Sequence, residues 1–331
     1  MSTIIPTVTV SAPSVCAAKI LCFDDNGVLS TATGFFFSMG VERIVGPPSL
    51  ARSMSLQDRI SSNSSQAYLI TNWHVVSGKH FISRRYLDTS GRAPTYLQVI
   101  LQHEYPKSVV DFLFESTVGH EDKKAAVDDL YSTGKSLHGP WRVRCEIYND
   151  DRSVPLWLEH SKLKSNCDVV AIPFEVPSEA AKRIAYANGS APLENLQAGT
   201  AAFIVGFPNG LSAGHWLPVW KSGYVASEPN FNISIGTKPD ENFGEIGGTV
   251  LPAFFIDSLT RGGMSGSPVF AATRMDIATP PVYHFIGTYS GRIEGREGEA
   301  AFGICWRRDV LREIISSAHI GDHPHVNFLP E

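Results

Sequence analysis

The feature that most constrains the fold is a long succession of short apolar runs separated by glycine- and proline-containing turns. Such runs, rich in β-branched and aromatic residues, predict β-strands, and their number favours antiparallel sandwiches or barrels. We predict strands at residues 15–23, 33–37, 67–70, 96–101, 141–148, 169–174, 201–206, 219–226, 254–256, 268–271, 284–288 and 301–306. Helical periodicity is clear only at 308–318, and a shorter helix is predicted at 121–130.

The chain length of 331 residues exceeds the usual size of one hydrophobic core, so we expect two packed units. The first is predicted at 10–180, with insertions at about 38–66 and 102–165. The second is predicted at 198–318, followed by a tail at 319–331.

The composition is that of an ordinary globular protein, with 43% hydrophobic and 18% charged residues. A net charge of −5 gives no reason to expect a nucleic-acid or membrane partner, and no run reaches the roughly 20 apolar residues of a membrane span. The five cysteines are scattered without CxxC pairs, which indicates neither a disulfide framework nor a zinc site. Because the N-terminal stretch is also a poor secretory signal, we expect a reducing, cytoplasmic location.

Three short stretches each bring one reactive side chain to the edge of an apolar run. They are, in chain order, TNWHVV at 71–76, NCDVVAI at 166–172 and GMSG at 263–266. A serine hydroxyl such as that of Ser265 is a weak nucleophile until a base takes its proton, and His74 offers such a base. A carboxylate, here Asp168, can orient the imidazole and stabilise its charged form.

This order of histidine, aspartate and serine resembles the chymotrypsin-fold serine peptidases, in particular the bacterial trypsin-like group of glutamyl endopeptidases and HtrA proteases. Further similar stretches are ATGFF at 32–36, VGFP at 205–208, SGYV at 222–225, DSLTRGGMSGSPVF at 257–270 and IGTYSG at 286–291. The resemblance extends from about residue 15 to 317, apart from the two insertions. It implies an all-β fold of two six-stranded antiparallel barrels, with the cleft between them and a C-terminal helix packed on the second.

The resemblance also implies roles for individual residues. Ser265 would be the nucleophile, His74 the general base and Asp168 its orienting partner. The backbone N–H groups of Gly263 and Ser265 would form the oxyanion hole, and no cofactor or metal is implied. Substrate-binding residues carried over in the same way are Thr260, Tyr289, Ser290, Gly291 and Arg292.

The substrate preference implied by these residues stays open. Tyr289 stands where glutamyl endopeptidases have a pocket histidine, and a neutral pair with Thr260 favours a polar or aromatic side chain. Arg292 would instead favour an acidic one. No aspartate occupies the expected base of the pocket, so cleavage after Lys or Arg is not expected. Met264 replaces the aspartate that precedes the nucleophile in animal members, so activation by a new N-terminus is not expected either.

The function predicted from the sequence is therefore a serine endopeptidase that acts through an acyl-enzyme on a protein or peptide substrate. The alternatives are a non-catalytic binding module on the same fold and an esterase. Ester hydrolases usually carry a Gly-x-Ser-x-Gly elbow within βα units, and residues 263–267 lack its last glycine. The insertion between His74 and Asp168 could bind a regulatory protein. The His and Asp residues at 319–325 are interpreted as a solvated polar tail rather than a metal site.

Overall fold

The computed structural model describes most of the two predicted units. The ranges are 11–38, 66–101, 140–176, 184–187, 195–213, 216–235, 249–273, 281–294 and 300–325. The helix predicted at 121–130 and most of the loop predicted at 38–66 lie outside the described residues. Within those ranges, no helix has the length and apolar character needed to cross a membrane.

The first unit is a six-stranded antiparallel sheet with the strand order β5-β4-β1-β2-β3-β6. Its strands are β1 Ala17–Asp24, β2 Gly27–Ser38, β3 Ala67–Thr71, β4 Tyr96–Leu101, β5 Trp141–Glu146 and β6 Val170–Pro173. Buried and partly exposed residues alternate along β1, as the two-residue period of a strand with one face on the core requires. In the part of the chain that is described, β5 and β6 do not pair, so this sheet is open where a closed barrel was predicted.

The second unit contains a closed six-stranded barrel with the order β11-β14-β13-β12-β7-β8. The strands of this half are β7 Ala201–Gly206, β8 Val219–Val225, β9 Ile233–Ile235, β10 Thr249–Leu251, β11 Ala253–Asp257, β12 Pro268–Thr273, β13 Val282–Glu294 and β14 Ala300–Arg307. Among the described strands, the short strands β9 and β10 pair with each other alone. Closure of the barrel satisfies the backbone groups that would otherwise lie at two free sheet edges.

The described residues include three α-helices beside the strands. They are α1 Ala12–Cys16, α2 Trp73–Ser77 and α3 Arg308–Ser317. The apolar face of α3 is buried, and the helix packs against β6 of the first sheet as well as β13 and β14 of the barrel. The sequence predicted packing on the second unit alone. The helix therefore helps to hold the two units together.

The two units share a continuous apolar core. The ring of Phe285 on β13 lies 5.2 Å from that of Phe35 and 6.3 Å from that of Phe37, both on β2. Aromatic contacts of this kind contribute about 1 kcal/mol each beyond the area that they bury. Strand β2 pairs with β3, which leads to His74, and β13 pairs with β12, which follows Ser265. These contacts therefore join the two halves of the molecule from which the predicted site residues come.

The fold class predicted from the sequence is confirmed: the chain is mainly β, with two antiparallel six-stranded units and a C-terminal helix. Two boundaries differ from the prediction. Strand β5 lies inside the segment interpreted as an insertion, yet it pairs with β4 along its whole length. Residues 319–325, interpreted as a solvated tail, instead lie against the first unit, where Ile320 pairs with Leu158 and the Gly321 N–H donates to the Trp157 carbonyl at 2.9 Å.

Candidate active site

His74 lies on a short helix that begins where β3 ends. The sequence predicted a strand edge, but residues Trp73–Ser77 form the single turn α2, which Gly78 ends in a left-handed conformation. The His74 side chain is 17% exposed, so one side of the ring is in contact with solvent while the other is held by the protein. Because this helical turn directly follows a buried strand, the backbone that carries the imidazole is held in a fixed position at the edge of the sheet.

Asp168 holds His74 at two points. One carboxylate oxygen, Oδ1, accepts a hydrogen bond from the His74 backbone N–H at 2.9 Å, and Oδ2 lies 2.7 Å from His74 Nδ1. Asp168 is completely buried, and a buried carboxylate requires such donors to replace water. A carboxylate only accepts, so Nδ1 carries the proton and Nε2 is left free to accept one.

Ser290 supplies a further donor to Asp168. Its hydroxyl donates a short hydrogen bond to Oδ2, and the residue is fully buried. The sequence assigned Ser290 to substrate binding, whereas its side chain belongs to the hydrogen-bond network of Asp168.

The loop that leads to Asp168 is fixed by two side chains that the sequence analysis did not single out. The Asn72 amide donates to the backbone carbonyl of Asp168 at 2.6 Å. The Arg84 guanidinium donates to the Ser165 carbonyl at 3.0 Å and to the Asn166 side-chain oxygen at 2.6 Å. Both contacts join residues more than 80 positions apart along the chain, so sequence pattern alone gave no sign of them.

Ser265 lies on a turn that depends on glycine. Gly263 and Gly266 have φ angles of +87° and +83°, a region that other residues adopt with strain. A Cβ on Gly263 would lie 2.5 Å from the Phe207 carbonyl oxygen, and one on Gly266 would lie 2.2 Å from the Thr33 carbonyl oxygen. The Thr33 N–H in turn donates to the Ser265 carbonyl at 2.9 Å, so the first sheet directly supports the turn.

The same turn leaves two backbone N–H groups available. The Gly262 carbonyl accepts from the Asn209 N–H at 2.6 Å, and in a trans peptide the following N–H, that of Gly263, points the opposite way. The Met264 N–H donates to the Arg261 carbonyl at 3.3 Å. Among the described residues, neither the Gly263 N–H nor the Ser265 N–H has an acceptor. Two such donors flanking a serine can bind a developing negative charge.

His74, Asp168 and Ser265 line one cavity of about 860 Å³. The structure therefore brings the three predicted residues, about 190 positions apart at the extremes, to one crevice between the units. Within the described part of the chain, Ser265 Oγ forms no hydrogen bond with His74. In a ligand-free enzyme this contact is often long and closes only when substrate is bound.

The predicted substrate-binding residues line the same cavity. The hydroxyl groups of Thr260 and Tyr289 are buried and joined by a short hydrogen bond, and burial raises the pKa of Tyr289 to about 12. This pair is therefore neutral at physiological pH. A bulge in β13 leaves Ser290 and Gly291 outside the ladder with β14, and a side chain at Gly291 would meet open space.

Two arginines lie beside this neutral pair. The Arg292 guanidinium lies 3.5 Å from the Thr260 carbonyl oxygen, and that of Arg261 lies 3.2 Å from the same atom. Both side chains are exposed. The cavity thus combines the neutral buried pair Thr260 and Tyr289 with two exposed cationic side chains, Arg261 and Arg292, which we call the cationic rim. The sequence analysis did not assign a role to Arg261.

Comparison with known proteins gave matches to solved structures alone. No protein-family model matches the chain. No curated protein is significantly similar to it. The active form of the Rv3671c protease from M. tuberculosis is 12% identical with a TM-score of 0.43, and the match covers 94% of this chain and 84% of that one. The HtrA-type protease AlgW with a tripeptide is 10% identical with a TM-score of 0.42, covering 92% of this chain and 62% of that one.

A thermostable serine protease, AL20, from an extremophilic microorganism is 10% identical with a TM-score of 0.44, covering 93% of this chain and 98% of that one. This chain spans less than two thirds of the AlgW chain that it matches. All three matched proteins are described as proteases. AL20 is described as a serine protease and AlgW as an HtrA-type protease. The identities and TM-scores are low, so these matches do not assign a function to this chain.

Proposed function

We propose that the protein is a serine endopeptidase with Ser265 as nucleophile. The single observation that carries the proposal is the buried Asp168 carboxylate, hydrogen-bonded to His74 at the wall of the cavity that Ser265 also lines. A fully buried charge is unfavourable unless it is paired, and here its partner is an imidazole that lines the same cavity as the Ser265 hydroxyl.

In the proposed acylation, Ser265 Oγ attacks the scissile carbonyl carbon and its proton passes to His74 Nε2. Asp168 stabilises the imidazolium that forms. The negative oxygen of the tetrahedral intermediate accepts hydrogen bonds from the Gly263 and Ser265 N–H groups. The C–N bond then breaks, and His74 Nε2 returns the proton to the leaving amine.

In deacylation, water takes the place of the amine. His74 accepts a proton from the water, whose oxygen attacks the ester carbon, and the proton then returns to Ser265 Oγ as the acid leaves. Apart from water and the substrate, no step requires a group that the described residues do not supply.

The thiols of Cys16, Cys22, Cys167 and Cys305 are free and buried, which supports the proposal of a reducing, cytoplasmic location.

The proposal is tested by incubating the purified chain with a peptide library and sequencing the products. Wild type is expected to cleave, Ser265→Ala to be inactive, and Ser258→Ala to match wild type, because the Ser258 hydroxyl is bound to the Ser222 carbonyl on the exposed surface. Cleavage by Ser265→Ala at the wild-type rate would exclude this nucleophile. Turnover of simple esters without any peptide cleavage would favour the esterase.

The same library distinguishes the two substrate preferences left open by the sequence. If the neutral Thr260–Tyr289 pair dominates, polar or aromatic side chains are enriched before the cleaved bond. If the cationic rim dominates, acidic side chains are enriched, and Arg292→Gln removes the enrichment. Unchanged preference in Arg292→Gln would exclude a role for this side chain in selecting substrates.

A further inference from the structure

Glu159 is a buried acidic residue that the proposed chemistry does not use. It is completely buried, and within the described residues neither of its carboxylate oxygens has a hydrogen-bond partner. Burial raises its pKa to about 7. A buried carboxylate without donors is unfavourable by several kcal/mol, so such a group either binds a proton or has a ligand or an ion as its partner.

The side chains nearest to this carboxylate come from the C-terminal segment. Ligand atoms of Glu159, His319 and Asp322 all lie within 4.8 Å of one another. The backbone holds them in place independently of any ligand, since the Glu159 N–H donates to the His319 carbonyl at 3.0 Å and the Gly321 N–H donates to the Trp157 carbonyl at 2.9 Å. The cluster is thus fixed on both sides by backbone hydrogen bonds.

Lys164 provides a positive charge at the outer side of this cluster. Its ammonium forms a short hydrogen bond with His319 Nε2 and lies 3.4 Å from Asp322 Oδ2. Among the described residues, no hydrogen bond from Lys164 reaches Glu159, and His319 Nε2 approaches Glu159 Oε1 only to 3.9 Å. Lys164 is 39% exposed, so its flexible side chain can move into solvent and free both partners.

We propose that Glu159, His319 and Asp322 form a zinc site. Two carboxylates balance the charge of Zn²⁺, and the imidazole adds the nitrogen ligand that favours zinc over calcium or magnesium. Metal–ligand bonds of about 2.1 Å place the ligand atoms of a tetrahedral site about 3.4 Å apart. Small side-chain movements would bring the three ligand atoms, now within 4.8 Å of one another, to this separation. Water would complete the coordination on the side that Lys164 leaves.

Such an ion would link the C-terminal segment to the strand-like segment that precedes Asp168. Leu158 pairs with Ala171 of β6 on one side and with Ile320 on the other. Zinc binding would therefore stabilise the contact between residues 319–325 and the first sheet. Because the unfolded chain does not preserve this arrangement, bound zinc is expected to raise the unfolding temperature.

The proposal is tested by calorimetric titration of the chelator-treated full chain with zinc chloride near neutral pH. One site is expected, and Asp322→Asn and His319→Asn should each weaken it by about tenfold or more. His323→Asn is the matched control, because His323 lies outside the cluster and bonds to the Arg152 carbonyl. Affinity unchanged in both ligand variants, or no saturable binding by wild type, would overturn the proposal.

Two more variants sharpen the test. Lys164→Met removes the competing cation and is expected to tighten zinc binding; weaker binding would contradict the proposed displacement. Glu159→Gln keeps the shape of the buried side chain and is expected to weaken binding as the other ligand variants do. Should it fail to fold, Asp322→Asn decides the question alone, since Asp322 is 55% exposed and its replacement leaves the core intact.

Discussion

The substitution Asp168→Asn removes the charge beside His74 and preserves the shape of the side chain. Oδ1 accepts from the His74 backbone N–H and Oδ2 faces Nδ1, while the Ser290 hydroxyl also donates to Oδ2. An amide has one oxygen, so in either orientation its NH₂ group faces a donor. If NH₂ faces Nδ1, the ring proton moves to Nε2, and that atom can no longer accept the proton of Ser265.

The expected loss in the rate of Ser265 chemistry is about 10⁴-fold, the usual result of forcing the wrong tautomer on such a histidine. This corresponds to about 5 kcal/mol of transition-state stabilisation. The buried position supports a value of this size, because Asp168 is fully buried and no water can take over its role.

The assay is the second-order rate constant for labelling by a fluorophosphonate probe, followed by intact mass, because it requires no knowledge of the substrate. Asp257→Asn is the matched control, since Asp257 is exposed at the end of β11. Thermal unfolding should verify that both variants are folded. A loss of less than about tenfold in Asp168→Asn would refute the proposed role of the carboxylate.

Three further perturbations have defined outcomes. Gly266→Ala places a Cβ 2.2 Å from the Thr33 carbonyl oxygen, at a φ of +83°. It should lower the free energy of unfolding, measured by chemical denaturation, by about 2 kcal/mol or more. An unchanged denaturation midpoint would contradict the turn geometry. Ser290→Ala removes one donor to Asp168 and should slow probe labelling by about tenfold, and a wild-type rate in this variant would contradict the proposed network. The raised pKa of Glu159 means that the folded state binds a proton more tightly than the unfolded state. Without metal, stability should therefore fall by up to about 3 kcal/mol as pH rises from about 4.5 to 7, and Glu159→Gln should abolish this slope; a slope that persists would exclude Glu159 as its source.

The sequence predicted the features that depend on local pattern. Alternating apolar runs located most strands to within a few residues, and the glycines around Ser265 predicted a tight turn that the φ angles of Gly263 and Gly266 bear out. The periodic face at 308–318 predicted α3 nearly to its ends. These elements are determined by residues close together in the chain, where periodicity and glycine content are informative.

What the sequence did not predict depends on contacts between distant residues. His74 was expected at a strand edge because the apolar run continues through Val75 and Val76, whereas tertiary packing turns this stretch into α2. The donation from Ser290 to Asp168 joins residues 122 positions apart. The packing of 319–325 on the first sheet likewise depends on backbone pairing with Leu158, which no local pattern encodes.

The most direct test of the proposed function is the location of a fluorophosphonate adduct on the wild-type chain, found by proteolytic digestion and mass spectrometry. A serine activated by His74 should be the single site of modification. The account predicts one adduct, on Ser265, that disappears in His74→Ala. An unlabelled chain, or an adduct on another residue, would contradict it.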